Sequence, residues 1–190
     1  MDFTRGLLRA IQGRDADGRQ SATGYVASLV AEPGDSDVAW LAGIMLSHDE
    51  DHARWELRYA RRALGLLVAE RDALDDRTPS LVADALEAAL ERDPNVAADR
   101  VEVALAQFNS RLGAYREAFR LRSTKEPLGP RLARELLSFS SAVPKDRDQA
   151  IADAAGMLGR MMSEAAESLR RAFGEAHLPD DVPPSQAAGA

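Results

Sequence analysis

The run Ala53-Arg54-Trp55-Glu56-Leu57-Arg58-Tyr59-Ala60-Arg61-Arg62-Ala63-Leu64-Gly65-Leu66-Leu67-Val68 decides the fold class. Ala53, Leu57, Ala60, Leu64, Leu67 and Val68 recur at three- and four-residue intervals, the spacing of a core-facing stripe on an α-helix. Trp55, Tyr59 and Leu66 sit to one side and widen that face. The run is the second half of a proline-free segment over residues 35–74, and Asp35, Ser36 and Asp37 supply N-cap candidates at its start. Inside the segment Ser47 is followed three residues later by Glu50, the spacing of a capping box. The segment therefore reads either as one helix or as two broken near Leu46.

Composition extends this reading to the whole chain. Val, Ile and Thr together number 17, against 23 Leu and 35 Ala. Branching at Cβ favours strands, and Ala and Leu are the strongest helix formers, so a sheet core has little to be built from. Nine prolines mark the boundaries. Residues 3–12 read as a short amphipathic helix, 13–20 as a polar Gly/Asp loop, and 21–30 as a second short helix. Thr78-Pro79 starts a helix running to about residue 92. Asn95 is placed to cap another, to about residue 122, with Val101, Leu105, Phe108, Leu112, Tyr115 and Phe119 as its stripe. A short helix follows over 128–141 and a long one over 146–177. The expected fold is all-α: an antiparallel helical bundle of long helices, with short N-terminal helices packed on or capping it. Residues 1–178 form a single domain in this reading, and 179–190 a disordered C-terminal tail.

There is no cysteine among the 190 residues, which excludes disulfides, thiolate nucleophiles and cysteine-ligated metals. No apolar run approaches the roughly 20 residues of a membrane span, and the start lacks a signal peptide's apolar segment, so a cytoplasmic protein without a membrane partner is expected. The net charge of −7 disfavours a generic nucleic-acid binder. It is unevenly spread: residues 100–147 carry ten basic and five acidic side chains, a local +5 that leaves −12 for the remainder.

His48, His52 and Glu56 stand at i, i+4 and i+8, which on one helix would stack them on a single side. Imidazoles so spaced can share a divalent transition metal, with the carboxylate one turn on as a third ligand. Di-iron bundles need a second such set on another helix, and the only other histidine is His177. Asp72, Asp75 and Asp76 read as a solvated turn. Arg171 and His177 have the spacing of an Arg/His pair for RNA cleavage, without the polar residue that should follow the Arg. Arg111, Arg116, Arg120 and Arg122, with Lys125, Arg131 and Arg134 beyond, are candidates for an anion or an acidic partner. Met157, Met161 and Met162, beside Gly156 and Gly159, suit either core or a helix-to-helix interface.

No catalytic residue and no cofactor is assigned. The function expected is non-enzymatic: a bundle acting through protein–protein association, with itself as a homodimer or with another protein. A metal-binding protein or enzyme on the His48/His52/Glu56 face is the alternative, and RNA binding or cleavage the third reading.

Overall fold

The computed structural model describes residues 3–73, 75–121 and 126–174, with side chains from residue 16 onward. Its elements are α1 (Phe3–Leu29), α2 (Asp35–Ile44), α3 (Glu50–Asp72), α4 (Arg77–Glu91), a 3-10 turn (Ala98–Arg100), α5 (Val101–Arg120), α6 (Leu128–Phe139) and α7 (Arg147–Phe173). No strand occurs among the described residues; a lone antiparallel bridge joins Met45 and Ala142. The chain is all-α.

The deciding run became the central helix. α3 packs against every other helix. Residues 56–60 and 62–69 are buried without a break, so α3 hides its whole circumference and not a single stripe. That brings Glu56, Arg58 and Arg62 inside along with the leucines. Buried charges persist only when paired and hydrogen-bonded. Each has a partner from another segment: Arg111 for Glu56, Glu32 for Arg58, and Asp93 for Arg62.

The segment over 35–74 is broken. α2 stops at Ile44 and α3 begins at Glu50, capped by Asp49, whose Oδ1 accepts the amides of Asp51 at 2.9 Å and His52 at 3.1 Å. The Asp49 carboxylate replaces the expected Ser47 cap. Asn95 caps no helix either: its backbone and side-chain N–H groups donate to Asp93 Oδ1, and α5 starts later, after the 3-10 turn.

The N-terminus differs most from expectation. The two short helices and the loop over 13–20 are one 27-residue helix. A helical glycine costs about 1 kcal/mol against alanine, and the burial of Ala22, Tyr25, Val26 and Leu29 offsets that. Gly18 is a close approach and not a break, since a Cβ there would lie 3.0 Å from Leu81 Cδ1 of α4. At the other end, α7 closes at Phe173, where Gly174 takes φ +85° and returns its N–H to Arg170 O at 2.8 Å. His177 and the tail over 179–190 lie outside the described residues.

Gly65 sets how closely α1 and α3 approach. A Cβ there would come within 2.9 Å of Leu29 Cγ and nearer still to its methyls, while Tyr25 Oη donates to the Gly65 carbonyl at 2.8 Å. Gly65→Ala gains about 1 kcal/mol of helix propensity but overpacks a sealed contact at about 1–3 kcal/mol. The expected net result is a loss of up to about 2 kcal/mol in urea unfolding, largely relieved in the background of Leu29→Ala.

Candidate association surface

The proposed metal face does not form. His48 lies in the connection before α3 with φ +51°, and its Nδ1 is 3.2 Å from Ala42 O. Because α3 begins only at Glu50, His48 cannot share a helix face with His52 and Glu56. His52 Nε2 does approach Glu56 Oε1, at 3.3 Å. The Glu56 carboxylate, however, is gripped by the Arg111 fork, with Nη2 at 2.6 Å from Oε1 and Nε at 3.2 Å from Oε2. That bidentate pairing occupies the lone pairs a metal would use. Among the described residues no group of three or more potential ligands converges. Tyr115 packs nearby, and burial together with the Glu56 charge pushes its hydroxyl far above the ordinary tyrosine range.

The basic set is dispersed. At 3.6 residues per turn, positions nine apart on a helix point about 180° from each other, which separates Arg111 from Arg120. Arg111 turns inward onto Glu56, and Arg116 pairs with Glu70 at 2.5 Å. Arg131 donates to the Leu121 carbonyl, and Arg134 pairs with Glu126. Arg120 is exposed, and Arg122 and Lys125 lie outside the described residues. The methionines are core: Met157 and Met161 are buried within this chain and Met162 is half-buried against them. Their i, i+4 spacing puts them on the stripe of α7 that also carries Ala150, Ala154, Leu158, Ala165 and Leu169. The acidic turn behaves as read, with Asp75 Oδ1 accepting the amides of Arg77 at 2.9 Å and Thr78 at 2.6 Å.

A different surface stands out. The connections α2–α3 and α6–α7 pair as a one-rung ribbon, with Val143 N–H donating to Ile44 O at 2.8 Å and Leu46 N–H to Ser141 O at 3.4 Å. In extended backbone, successive side chains point to opposite sides. Met45 fills the core, so its neighbour Leu46 is thrown out to 76% exposure; Ala142 turns in, and Val143 stands 66% exposed. These are the two most exposed large apolar side chains among the described residues. No family model, curated protein or solved structure matches this chain.

The ribbon is flanked by backbone strain. His48 at φ +51° and Ser141 at φ +52° are the non-glycine residues with positive φ among the described residues. Such conformations cost on the order of 1 kcal/mol each and persist where surrounding structure over-determines them. Here the paired connections do so, and as a platform they present Leu46 and Val143 to solvent.

Two clefts border the platform. One of about 570 Å³ is lined by Trp40, Ile44, His48, Lys145, Asp146 and Asp153 among others. The other, of about 390 Å³, is lined by Leu137, Ser138, Arg134 and Arg147, with Val143 and Pro144 shared between them. The second has only cations among its charged lining residues, whereas the first carries two aspartates against Lys145. Asp146 caps α7 through Gln149 N at 3.1 Å, and Asp153 accepts from Gln149 Nε2 at 2.8 Å, which orders both carboxylates. Arg147 and Lys145 have no ion-pair partner among the described residues.

Sequence reasoning passed over Leu46 and Val143. Half of the signal was present, because a residue before proline is biased to extended backbone and Val143 precedes Pro144. Its partner could not be read, because the bridge joins segments distant in the chain. No helix among the described residues is long and apolar enough to cross a membrane.

Proposed function

We propose that this protein acts by protein–protein association, pairing with a second copy of itself through the platform around Leu46 and Val143. The observation that carries the reading is those two exposed apolar side chains, on one face of the connections joined by the Met45–Ala142 bridge. An exposed apolar pair bordered by clefts whose lining mixes apolar and charged side chains fits the anatomy of an interface centre.

Charge complementarity supports a second copy as the occupant. A two-fold interface brings one patch against itself, so the patch must be self-complementary. A two-fold axis passing between the clefts would set Arg147, which has no ion-pair partner among the described residues, against the Asp146/Asp153 side of the other copy. The apolar centre meets its own image at the axis.

Light scattering coupled to size exclusion should give a dimer mass for the full chain at micromolar concentration. Leu46→Asp and Val143→Asp should each weaken dimerisation by at least about 30-fold, the effect of losing an interface centre worth about 2 kcal/mol. Both positions are solvent-exposed in the isolated chain, so helicity should be unchanged. Arg147→Glu should also weaken the dimer, and pairing it with Asp153→Arg should restore it. A chain that stays monomeric up to near-millimolar concentration overturns the proposal.

A further inference from the structure

The outward side of α5 carries an uncharged strip. Between Glu102 and Glu117, about four turns of helix, its exposed residues are Val103, Ala106, Gln107, Asn109, Ser110 and Gly113. The whole chain is 29% charged, and the two charged residues inside this span, Arg111 and Arg116, bend onto Glu56 and Glu70 of α3. Val103 is 47% exposed, and Leu121, the residue after α5, is 49% exposed. They stand about five turns apart, so both lie on one line along the helix, with Ser110 and Ala114 between them on that line. A Cβ at Gly113, beside the line, would meet nothing within 4 Å. Small residues between two apolar ends leave room for a second helix to lie close.

Charge complementarity identifies the occupant as a second copy of α5, running antiparallel. A two-fold axis brings equivalent flanks of two antiparallel helices together. Centred between Ser110 and Ala114, it sets Val103 of one copy against Leu121 of the other and Ser110 against Ala114. Glu102 and Arg120 are also about five turns apart and so share one flank of the line. In this register Glu102 of each copy comes within a turn of Arg120 of the other, and neither has an ion-pair partner among the described residues. Glu117 comes opposite Gln107, whose Oε1 accepts the Tyr59 hydroxyl at 3.0 Å and whose amide N–H groups are left to donate. A parallel pairing would instead oppose Glu102 to Glu102 and Arg120 to Arg120.

We propose that the outward side of α5 is a second self-association site, docking α5 of another copy in this antiparallel register. It is independent of the Leu46/Val143 platform, and the two contacts together join dimers into larger assemblies. A single pair of helices about 30 Å long buries less than the roughly 800 Å² per partner of a standard interface, so this is the weaker contact.

Sedimentation equilibrium of the full chain tests this in a Leu46→Asp/Val143→Asp background, where the platform is disabled. That variant should still dimerise, with a Kd on the order of 100 μM. Adding Ser110→Arg places a long cation at the centre of the contact on an exposed turn, and it should weaken this dimer at least about tenfold with helicity unchanged. Glu102→Arg should weaken it about threefold, and Glu102→Arg with Arg120→Glu should restore it. The parent chain should exceed a dimer mass as it approaches millimolar concentration. A double variant that is monomeric at 1 mM overturns the proposal and leaves the platform standing, as does a residual dimer indifferent to Ser110→Arg. A parent dimer lost on Ser110→Arg but unaffected by Leu46→Asp upholds the α5 contact and overturns the platform.

Discussion

Asp93→Ala should lower folding stability by about 3–5 kcal/mol, the largest loss expected from any single polar substitution in this chain. Arg62 is 2% exposed, and its Nη2 donates to Asp93 Oδ2 at 2.6 Å. Its Nε and Nη1 are buried with no hydrogen-bond partner among the described residues. Asp93 is therefore the carboxylate that holds the Arg62 guanidinium inside the bundle, and deleting it strands a full charge in the core. Arg62→Met removes the charge together with its desolvation and keeps most of the volume, so it should cost far less. Asp93 would retain the two hydrogen bonds from Asn95, each at 3.0 Å. The double variant should resemble Arg62→Met alone. Urea unfolding followed by circular dichroism measures all three, and a cost below about 1 kcal/mol for Asp93→Ala would refute the account.

The same pair predicts a pH response. Burial pushes the Asp93 carboxyl up, but the Asn95 amide, the Arg62 guanidinium and the Asn95 side chain together hold it below its ordinary value. A depressed carboxyl contributes stability above its unfolded value of about 3.9, and that contribution fades as pH falls through the lower folded value. The stability gap between the parent chain and Asp93→Ala should thus be constant near neutrality and close below about pH 4.

Glu56→Ala should cost about 2–3 kcal/mol, less than Asp93→Ala although the same physics applies. The stranded partner, Arg111, is 15% exposed and can swing toward water. It also lies over aromatic faces, its Cζ 4.5 Å from the Phe139 centroid and 5.5 Å from that of Tyr59, which hold part of the cation's energy without the carboxylate. Arg111→Met in the same chain should recover most of the loss, because the unpaired charge disappears with it. A double-mutant cycle on Glu56 and Arg111 should return a coupling of about 1–3 kcal/mol, and a coupling near zero would show that the fork is ornamental. Glu56→Gln, which keeps the shape and one acceptor oxygen, should fall between the parent chain and Glu56→Ala.

Glu56 shows how a sound local reading can point to the wrong partner. Its spacing from His52 is real, and the two side chains meet as helical geometry requires. His48 fails because Asp49 caps the helix and shuts it out of the regular turn. Arg111, assigned to a basic surface, turned out to be what Glu56 binds. The methionines of α7 followed the stripe they lie on. The apparent loop over 13–20 is helical because the burial of Ala22, Tyr25, Val26 and Leu29 offsets the cost of its glycines, and a sequence does not reveal that Gly18 will meet Leu81.

Taken alone, the chain determines its class and most of its punctuation: the shortage of β-branched residues, the 3.6-residue recurrence over 53–68, and the prolines all act through neighbours a turn away. Packing decided the rest. Only the assembled bundle makes α3 central, sets Arg62 on Asp93 and Glu56 on Arg111, and brings Ile44 and Val143 together so that Leu46 and Val143 face water. The reason is physical: local propensity governs the path of the backbone, whereas the partner of a buried charge or a bridged loop depends on which distant surfaces desolvate each other when helices meet.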